Sequence, residues 1–524
     1  MPVPHNFSNR PMLQNRRVKT GAFFTPQIWA EKALHYFTLA FGKNWQEKYV
    51  IWDCAAGTGN LLDGLSNRRN IFASTFEIED VQSIKETGKL FENNVFQFDF
   101  LNDDFVPVSQ GGKVPDALYK CAAEMPKQIL FFINPPYNES GDGKGSRESV
   151  SNESSKIKDE MRQILDGNSA KDLAYRFIYR IKRDFPKSKL GIFCVPKFIT
   201  GTNFKLLRQW FTATFKRGFV VPARTFYNVK GEFPITFTIW DLNSKTTIDN
   251  ITTFADVFNG NNEPLGTKAF YATNYPRITK WTEKAATPQY GGFWHIRPDF
   301  NNQDYYHICD DKKDMIPIDT GNIIQMSIAL SVMLAVTDDW CSHQDQFFAP
   351  KRSWRNDIEF QNDCLLLTAF HQKNYAHNWI PFTEKEVHTS VRFVSNDFVQ
   401  FLKKRLKDSP KGNPKKNSSM SAEAKAVFNA AKAMWKYAYT VGNLRLENPR
   451  HCDISLPFLE LNRKRTKITD SKFANLNDEF NEKRKALNGK IIPKIYEHGF
   501  LSLLPPTGIP DIGSIAEVAR NKRK

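Results

Sequence analysis

Residues 49–60 read YVIWDCAAGTGN: four apolar or aromatic positions, an aspartate, then a run of small residues that includes two glycines. A strand buried on both faces needs an unbroken apolar run, and Asp53 marks where this one leaves the sheet. After it, Ala55, Gly57 and Gly59 allow a tight turn and the close approach of a ligand to the backbone, with the next helix N-terminus facing it. An ordinary strand-to-helix turn reads the same way, and the third glycine of the dinucleotide fingerprint is missing, so the stretch by itself does not define a cofactor.

Outward from this point the same kind of run recurs at FASTF (72–76), VFQF (95–98), ILFFI (129–133), KLGIFCV (189–195) and PITFTIW (234–240), with helical segments among them. Fully apolar strands alternating with helices predict a parallel sheet covered on both faces, hence a doubly wound α/β domain. The polar stretch NESGDGKGSRESVSNESS (138–155) predicts a mobile loop after the fourth run, and KDSPKGNPKKNSSM (407–420) a linker. From about residue 245 to 400 the alternation fades into a region rich in Trp, Tyr, Phe and Asn whose fold the sequence does not assign. Within it, IIQMSIALSVMLAV (323–336) holds Gln325 and two serines and is too short to span a bilayer, so it reads as a buried helix. Farther on, Ser421 is placed to cap a helix with Val427, Ala431, Met434 and Ala438 on one side. A later segment puts Phe473, Leu476, Phe480 and Leu487 at helical spacing and leaves Lys483, Arg484 and Lys485 more exposed.

A chain of 524 residues with 41% hydrophobic and 25% charged residues has the profile of a folded protein of several domains, not of a disordered or fibrous one. Of its net charge of +17, residues 401–524 carry +14, from 26 Lys plus Arg against 12 Asp plus Glu. Such a surplus predicts a polyanionic partner, nucleic acid first, although a solvated basic face produces the same count. The seven cysteines are scattered with no CxxC pair, so no zinc site and no other metal is expected. With no apolar stretch at the start (MPVPHNFSNR), the expectation is a reduced, cytoplasmic protein without a membrane anchor.

Three further strand ends carry chemistry. Glu77 stands twenty residues after Gly57 and can accept from both ribose hydroxyls of a nucleoside. Asp99 can accept from an adenine amino group, with Phe100 beside it to cover the ring. After the fourth run comes Asn134-Pro135-Pro136-Tyr137, in which the prolines stiffen the backbone and remove donors. That leaves the Asn134 side-chain oxygen and the Pro135 carbonyl to accept from a planar amine, and the Tyr137 ring as a flat face. Each also has a plainer reading, as a turn acid or a rigid loop.

Taken together these residues resemble the N6-adenine DNA methyltransferases of bacterial restriction-modification systems, in the gamma-type motif order with target recognition toward the C-terminus. KTGAFFTPQIWAEKA (19–33) is similar to the family's N-terminal cofactor motif, its Thr-Pro pair being Thr25-Pro26. The resemblance implies a Rossmann-like class I methyltransferase domain that uses S-adenosylmethionine. Asp53 and its turn then hold the methionine moiety, Glu77 the ribose, Asp99 the adenine amine, and Asn134 to Tyr137 the target base. Phe177 in DLAYRF and Phe233 in GEFPITF match positions that pack the cofactor and clamp the base, though single aromatics serve equally as core. The motifs cover roughly residues 19–240. The stretches from Trp340 to Val387, MSAEAKAV (420–427) and KIYEHGFL (494–501) are similar in a looser way to segments C-terminal to the catalytic domain in many such enzymes.

By this resemblance residues 1–245 form the catalytic domain, 246–400 the target-recognition region, and 401–524 a helical basic region in which Lys403, Lys404, Arg405 and Lys407 contact DNA. Double-stranded DNA is the implied partner, with a separate cognate endonuclease as a further candidate, in a bacterial or phage-encoded protein associated with the nucleoid. About 18 residues precede the first motif, so a fused nuclease ahead of it is not expected, and the loose match Pro298-Asp299 with Asp310-Asp311-Lys312 reads as chance. Two alternatives remain open: methylation of RNA or of a protein amide by the same chemistry, and a non-catalytic DNA-binding protein on a methyltransferase scaffold.

Overall fold

Side chains along the apolar runs alternate between two buried layers, and that alternation places the helices. The computed structural model describes residues 24–136, 155–165, 167, 169–227, 229, 231–249, 252–271, 276–282, 292–295, 307–309, 316–318, 320–336, 339–342, 347–369, 372–373, 376–377, 420–441 and 471–501. The chain divides into two compact units, the first drawing on residues up to Asn274 and on 339–344, the second on 275–338 and 345–504.

All six runs anticipated from the sequence are strands of one mixed sheet in the first unit: β1 (Val50–Asp53), β2 (Ile71–Thr75), β3 (Val95–Gln97), β4 (Ile129–Ile133), β5 (Lys189–Cys194) and β7 (Pro234–Asp241). Three more strands join them, β6 (Thr214–Pro222), β8 (Thr252–Phe258) and β9 (Pro264–Tyr271), in the order β3-β2-β1-β4-β5-β7-β6-β8-β9. Strands β1 to β5 pair in parallel. The expectation of a wholly parallel sheet is corrected at β7, which is antiparallel to both β5 and β6. Pro222 pairs with Pro234, so the link between β6 and β7 is too short for a crossover helix and the two strands must form a hairpin. The sheet also continues beyond residue 245, where the sequence alternation fades. β8 pairs with β6 and β9 closes the edge. Along β8 buried residues (Thr253, Ala255, Val257) alternate with half-buried ones, so it lacks the unbroken apolar run that marks a central strand.

One core layer holds Ile51, Ile71, Ala73, Leu130 and Phe132, covered by α1 (Gln27–Phe41) through Trp29, Ala33 and Phe37 and by α2 (Ile78–Glu86) through Val81 and Ile84. The opposite layer holds Trp52, Phe72, Ile129, Phe131 and Ile133. It is covered by α3 (Asp116–Glu124), α4 (Lys156–Ile164) and α5 (Leu173–Asp184). The period of two along each strand thus produces a sheet with helices on both faces, as a doubly wound domain requires. Packing under α1 is close: a Cβ on Gly191 of β5 would lie 2.2 Å from Phe37 Cζ.

The second unit is mainly helical, with α6 (Ile323–Ala335), α7 (Ile358–Ala369), α8 (Ala422–Val441) and α9 (Ser471–Glu497), beside a small three-stranded sheet over 292–318. α6 is the buried helix read from the apolar stretch, and hydrogen bonds tie it to α7 at Ser331 and at the Ser327 backbone. Ser331 Oγ donates to the Cys364 carbonyl at 2.8 Å, and Thr368 Oγ1 donates to the Ser327 carbonyl at 3.0 Å. These rungs satisfy polar groups where α6 meets α7. Ser421 caps α8, accepting from the Ala424 amide at 3.1 Å, and Val427 and Ala431 are buried as expected. On α9, Phe473, Phe480 and Leu487 are buried and Leu476 packs against them. Among the described residues no helix is long and apolar enough to cross a membrane. The side chains of Met434 and Ala438, the loop at 138–154, the linker at 407–419, Lys403, Lys404, Arg405, Lys407, and Pro298-Asp299 with Asp310-Asp311-Lys312 lie outside the described residues.

Candidate active site at the strand ends

In the parallel part of the sheet the winding reverses between β1 and β4, since β1 pairs with β2 on one side and with β4 on the other. At such a reversal the flanking loops part, and the crevice beyond the carboxyl ends of the strands is open to a ligand. Asp53 is the last residue of β1, and Asn134 directly follows the last residue of β4. The register Trp52↔Phe131 sets the two on neighbouring strands at that edge.

Asp53 is 1% exposed, and its Oδ1 accepts the Ala55 amide at 3.0 Å. The turn continues with the Ala56 amide donating to the Ser74 carbonyl at 3.0 Å, which ties it to β2. Gly57 (φ 53°) and Gly59 (φ 81°) take the left-handed conformations that a side chain would strain. Burial pushes the Asp53 carboxyl up to about 7, opposed only by the Ala55 amide; no described basic side chain relieves it. A buried acid in this state favours a bound cation.

Glu77 is half-buried at the N-cap position of α2, and its side chain does not cap that helix. Phe76 and Ile78 on either side are exposed, Phe76 by 59%, which the sequence reading did not single out. Large apolar side chains open to water at a strand end form a surface that a flat ligand can cover.

Past β3, Asp99 Oδ1 accepts the Leu101 amide (2.9 Å) and Oδ2 accepts Asn102 Nδ2 (2.7 Å), so the half-buried carboxylate also shapes its own loop. Phe100 is buried and stacks on Phe177 with centroids 5.2 Å apart and planes 10° from parallel. The structure therefore brings these two candidates together as one buried pair. From α5, one turn beyond Phe177, Arg180 donates to the Phe100 carbonyl and, at 2.7 Å, to the Asp103 carbonyl, with its guanidinium 4.9 Å from the Phe100 ring centre. Arg180 holds the Asp99 loop in place and went unnoticed in the sequence, where a basic residue on an amphipathic helix reads as solvent-facing.

Thr25 is buried just before α1, and the Pro26 carbonyl accepts the first helical amides, from Trp29 (2.9 Å) and Ala30 (3.1 Å). Asn134 Nδ2 donates to Thr25 Oγ1 at 2.8 Å. The donor end of the amide is thus turned to Thr25 and its carbonyl end the other way. Pro135 is buried and Pro136 half-buried, while Tyr137 lies outside the described residues. Phe233 packs at the edge of the α1-side core in the β6–β7 connection, its carbonyl accepting the Ala223 amide at 2.9 Å. The same connection is pinned to α1 by Trp29 Nε1, which donates to Thr225 Oγ1 at 2.7 Å.

The fold defines a doubly wound α/β protein with acidic and amide side chains at the carboxyl ends of its strands, where the sheet reverses. No family model and no curated protein matches the chain. Among solved structures it is similar to a DrdV–DNA complex, with 14% identity over 47% of this chain and 28% of that one and a TM-score of 0.32. It is similar also to the ATP-dependent Type ISP restriction-modification enzyme LlaBIII bound to DNA, with 14% identity, 45% and 19% coverage and a TM-score of 0.31. A protein of Listeria monocytogenes described as a class I S-adenosylmethionine-dependent methyltransferase matches at 15% identity, 46% and 66% coverage and a TM-score of 0.27. The chain spans between 19% and 66% of the length of these three proteins.

Proposed function

We propose that the protein is an S-adenosylmethionine-dependent DNA methyltransferase that transfers a methyl group to the exocyclic N6 amine of adenine in duplex DNA. The observation that carries this reading is the pair Asp53 and Asn134 at the reversal of the sheet, one a buried acid without a cation, the other an amide fixed by Thr25.

The residues at the strand ends fit S-adenosylmethionine. Asp53, held buried with its carboxyl raised, suits the positively charged methionine end, and the left-handed turn at Gly57 and Gly59 carries no side chain that would bar a ligand from the backbone. Glu77 offers its carboxylate to the ribose hydroxyls, Asp99 accepts from the adenine amine, and Phe76 and Ile78 offer apolar cover beside them. When bound, the cofactor supplies an electrophilic methyl on a sulfonium.

The amine of adenine is a poor nucleophile because its lone pair is delocalised into the ring. The Asn134 carbonyl and the Pro135 carbonyl accept its two hydrogens and favour a tetrahedral nitrogen, an interaction strongest in the transition state. Tyr137 stacks on the base once it has left the duplex, with Phe233 on the β6–β7 connection as the opposing face. Flipping costs a few kcal/mol, which stacking and phosphate contacts offset. The surplus proton leaves to solvent. In this reading residues 246–400 carry target recognition, and Lys403, Lys404, Arg405 and Lys407 touch DNA phosphates. In this reading the protein, bacterial or phage-encoded, works in the cytoplasm in association with the nucleoid, with or without a separate endonuclease.

The test is transfer of labelled methyl from S-adenosylmethionine to duplex DNA, with digestion to nucleosides to identify N6-methyladenine and Asn134→Ala as control. Label on RNA or protein and none on DNA refutes the choice of substrate. No transfer to any of the three refutes the enzymatic reading.

A further inference from the structure

Three cations stand close together in sequence in the second unit. Lys351, Arg352 and Arg355 are all exposed on and just before the single 3₁₀ turn Arg352–Asn356. Among the described residues none of the three makes an ion pair, although three carboxylates share their neighbourhood. Those acids are engaged by α9 and the turn after it. Lys494 Nζ lies 3.0 Å from Asp357 Oδ2 and 2.9 Å from Glu497 Oε2, and His498 Nε2 lies 3.2 Å from Asp357 Oδ2. Lys490 Nζ lies 3.0 Å from Glu359 Oε1. The cluster Asp357, Glu497 and His498, which has the composition of a metal site, is thus already occupied by a lysine ammonium. Three carboxylates thus face two lysines, and burial holds His498 below the ordinary imidazole range, so about one negative charge remains beside Lys351, Arg352 and Arg355 and the positive charge of the turn stays in excess.

The backbone that carries them is rigidly held. The Lys351 amide donates to the His498 carbonyl at 2.7 Å, and Ser353 Oγ is 2.9 Å from His498 Nδ1. Gln361 Nε2 donates to the Trp354 and Arg355 carbonyls, both at 2.9 Å. Trp354 meets the Trp281 ring edge-on at 5.3 Å. A fixed backbone loses less entropy when a partner binds, which favours a repeating anionic lattice over a mobile one. Trp354 is pinned to Trp281, and Ile358, just past the turn, is exposed by itself, less apolar surface than entry into a membrane requires.

We propose that Lys351, Arg352 and Arg355 form a contact surface for the phosphate backbone of duplex DNA. The inference rests on the proposed substrate and extends it to residues outside the basic tail. The three cations neutralise phosphates and set the protein's position on the duplex without reading sequence.

The test measures affinity of the full chain for a mixed-sequence duplex of about 30 base pairs at several salt concentrations, where each phosphate contact contributes about 0.9 to the slope of log affinity against log salt. Replacing all three residues by Gln is expected to flatten that slope by about 2.7, each single replacement by about 0.9, and the charge-retaining set Lys351→Arg, Arg352→Lys and Arg355→Lys by nearly nothing. The adenines methylated remain the same. Binding by the parent with an unchanged slope in the Gln variants overturns this surface alone. A parent that binds no duplex overturns the surface and the proposed substrate together. A change seen with polyglutamate and not with the duplex overturns it in favour of an acidic protein partner.

Discussion

Asn134 and Thr25, 109 positions apart in the chain, are joined by a hydrogen bond of 2.8 Å from the asparagine amide to the threonine hydroxyl. It couples the end of β4 to the start of α1. An asparagine amide has two ends of opposite polarity, and a hydroxyl acceptor on one side favours the rotamer that turns the carbonyl to the other. Thr25→Val keeps the shape and removes the acceptor. A lost hydrogen bond of about 1–1.5 kcal/mol leaves the amide free to turn, so kcat is expected to fall roughly tenfold with little change in the KM for S-adenosylmethionine. Thr25→Ser restores it. Steady-state kinetics decide the matter: a raised KM at unchanged kcat would make Thr25 purely a cofactor contact.

Asn134→Ala is expected to abolish methyl transfer while calorimetric affinity for S-adenosylmethionine stays within about twofold, because the lost acceptor acts mainly in the transition state. Turnover near that of the parent contradicts the role.

On the proposed assignment, Glu77→Ala is expected to act on binding. Two ribose hydroxyls lose a charged acceptor worth about 1.5–3 kcal/mol, so the cofactor dissociation constant is expected to rise by about one to two orders of magnitude. An unchanged constant in a calorimetric titration would reduce Glu77 to a strand-end residue.

Asp53 makes stability depend on pH. Its carboxyl titrates near 3.8 when unfolded and at about 7 in the fold, where burial penalises the charge. Between those values the folded state keeps a proton that the unfolded chain has released, so this residue lowers stability as pH rises through the window. Asp53→Asn keeps an acceptor for the Ala55 amide and removes the buried charge. Its thermal midpoint is expected to exceed the parent's by about 4 °C at pH 8, with a smaller gap at pH 5 and with loss of cofactor affinity. Equal midpoints at pH 8 would show that the carboxylate is not buried at a cost.

Gly191→Ala tests the packing under α1. The added methyl meets Phe37 Cζ at 2.2 Å and Cε1 at 2.6 Å, an overlap expected to cost about 1–3 kcal/mol in denaturant unfolding. Combining it with Phe37→Leu opens space and recovers part of the loss. Independent, additive losses would place the strain elsewhere.

Strand identity was legible in the sequence because burial on both faces leaves a local mark, a mainly apolar run, which β1, β4 and β5 carry most clearly, whereas the edge strand β3 (Val95–Gln97) carries it only in part, with Gln97 exposed. The same marks located Asp53, Glu77, Asp99 and Asn134, since a polar residue that ends such a run stands where the chain leaves the sheet. Buried helices were legible for the same reason, as with α6 and the Phe473, Phe480 and Leu487 face of α9.

Strand direction and partners were decided only by tertiary structure. An apolar run reads alike in either direction, so β7 gave no sign that it opposes β5, and the half-buried β8 and β9 gave no run at all. The Thr25–Asn134 bond, the Phe100–Phe177 stack and the Arg180 clamp join residues 109, 77 and 80 or 77 positions apart. The physical reason is range. Periodicity records what each residue needs from its surroundings, whereas which distant side chain meets that need is set when strands pair and helices pack across the sheet.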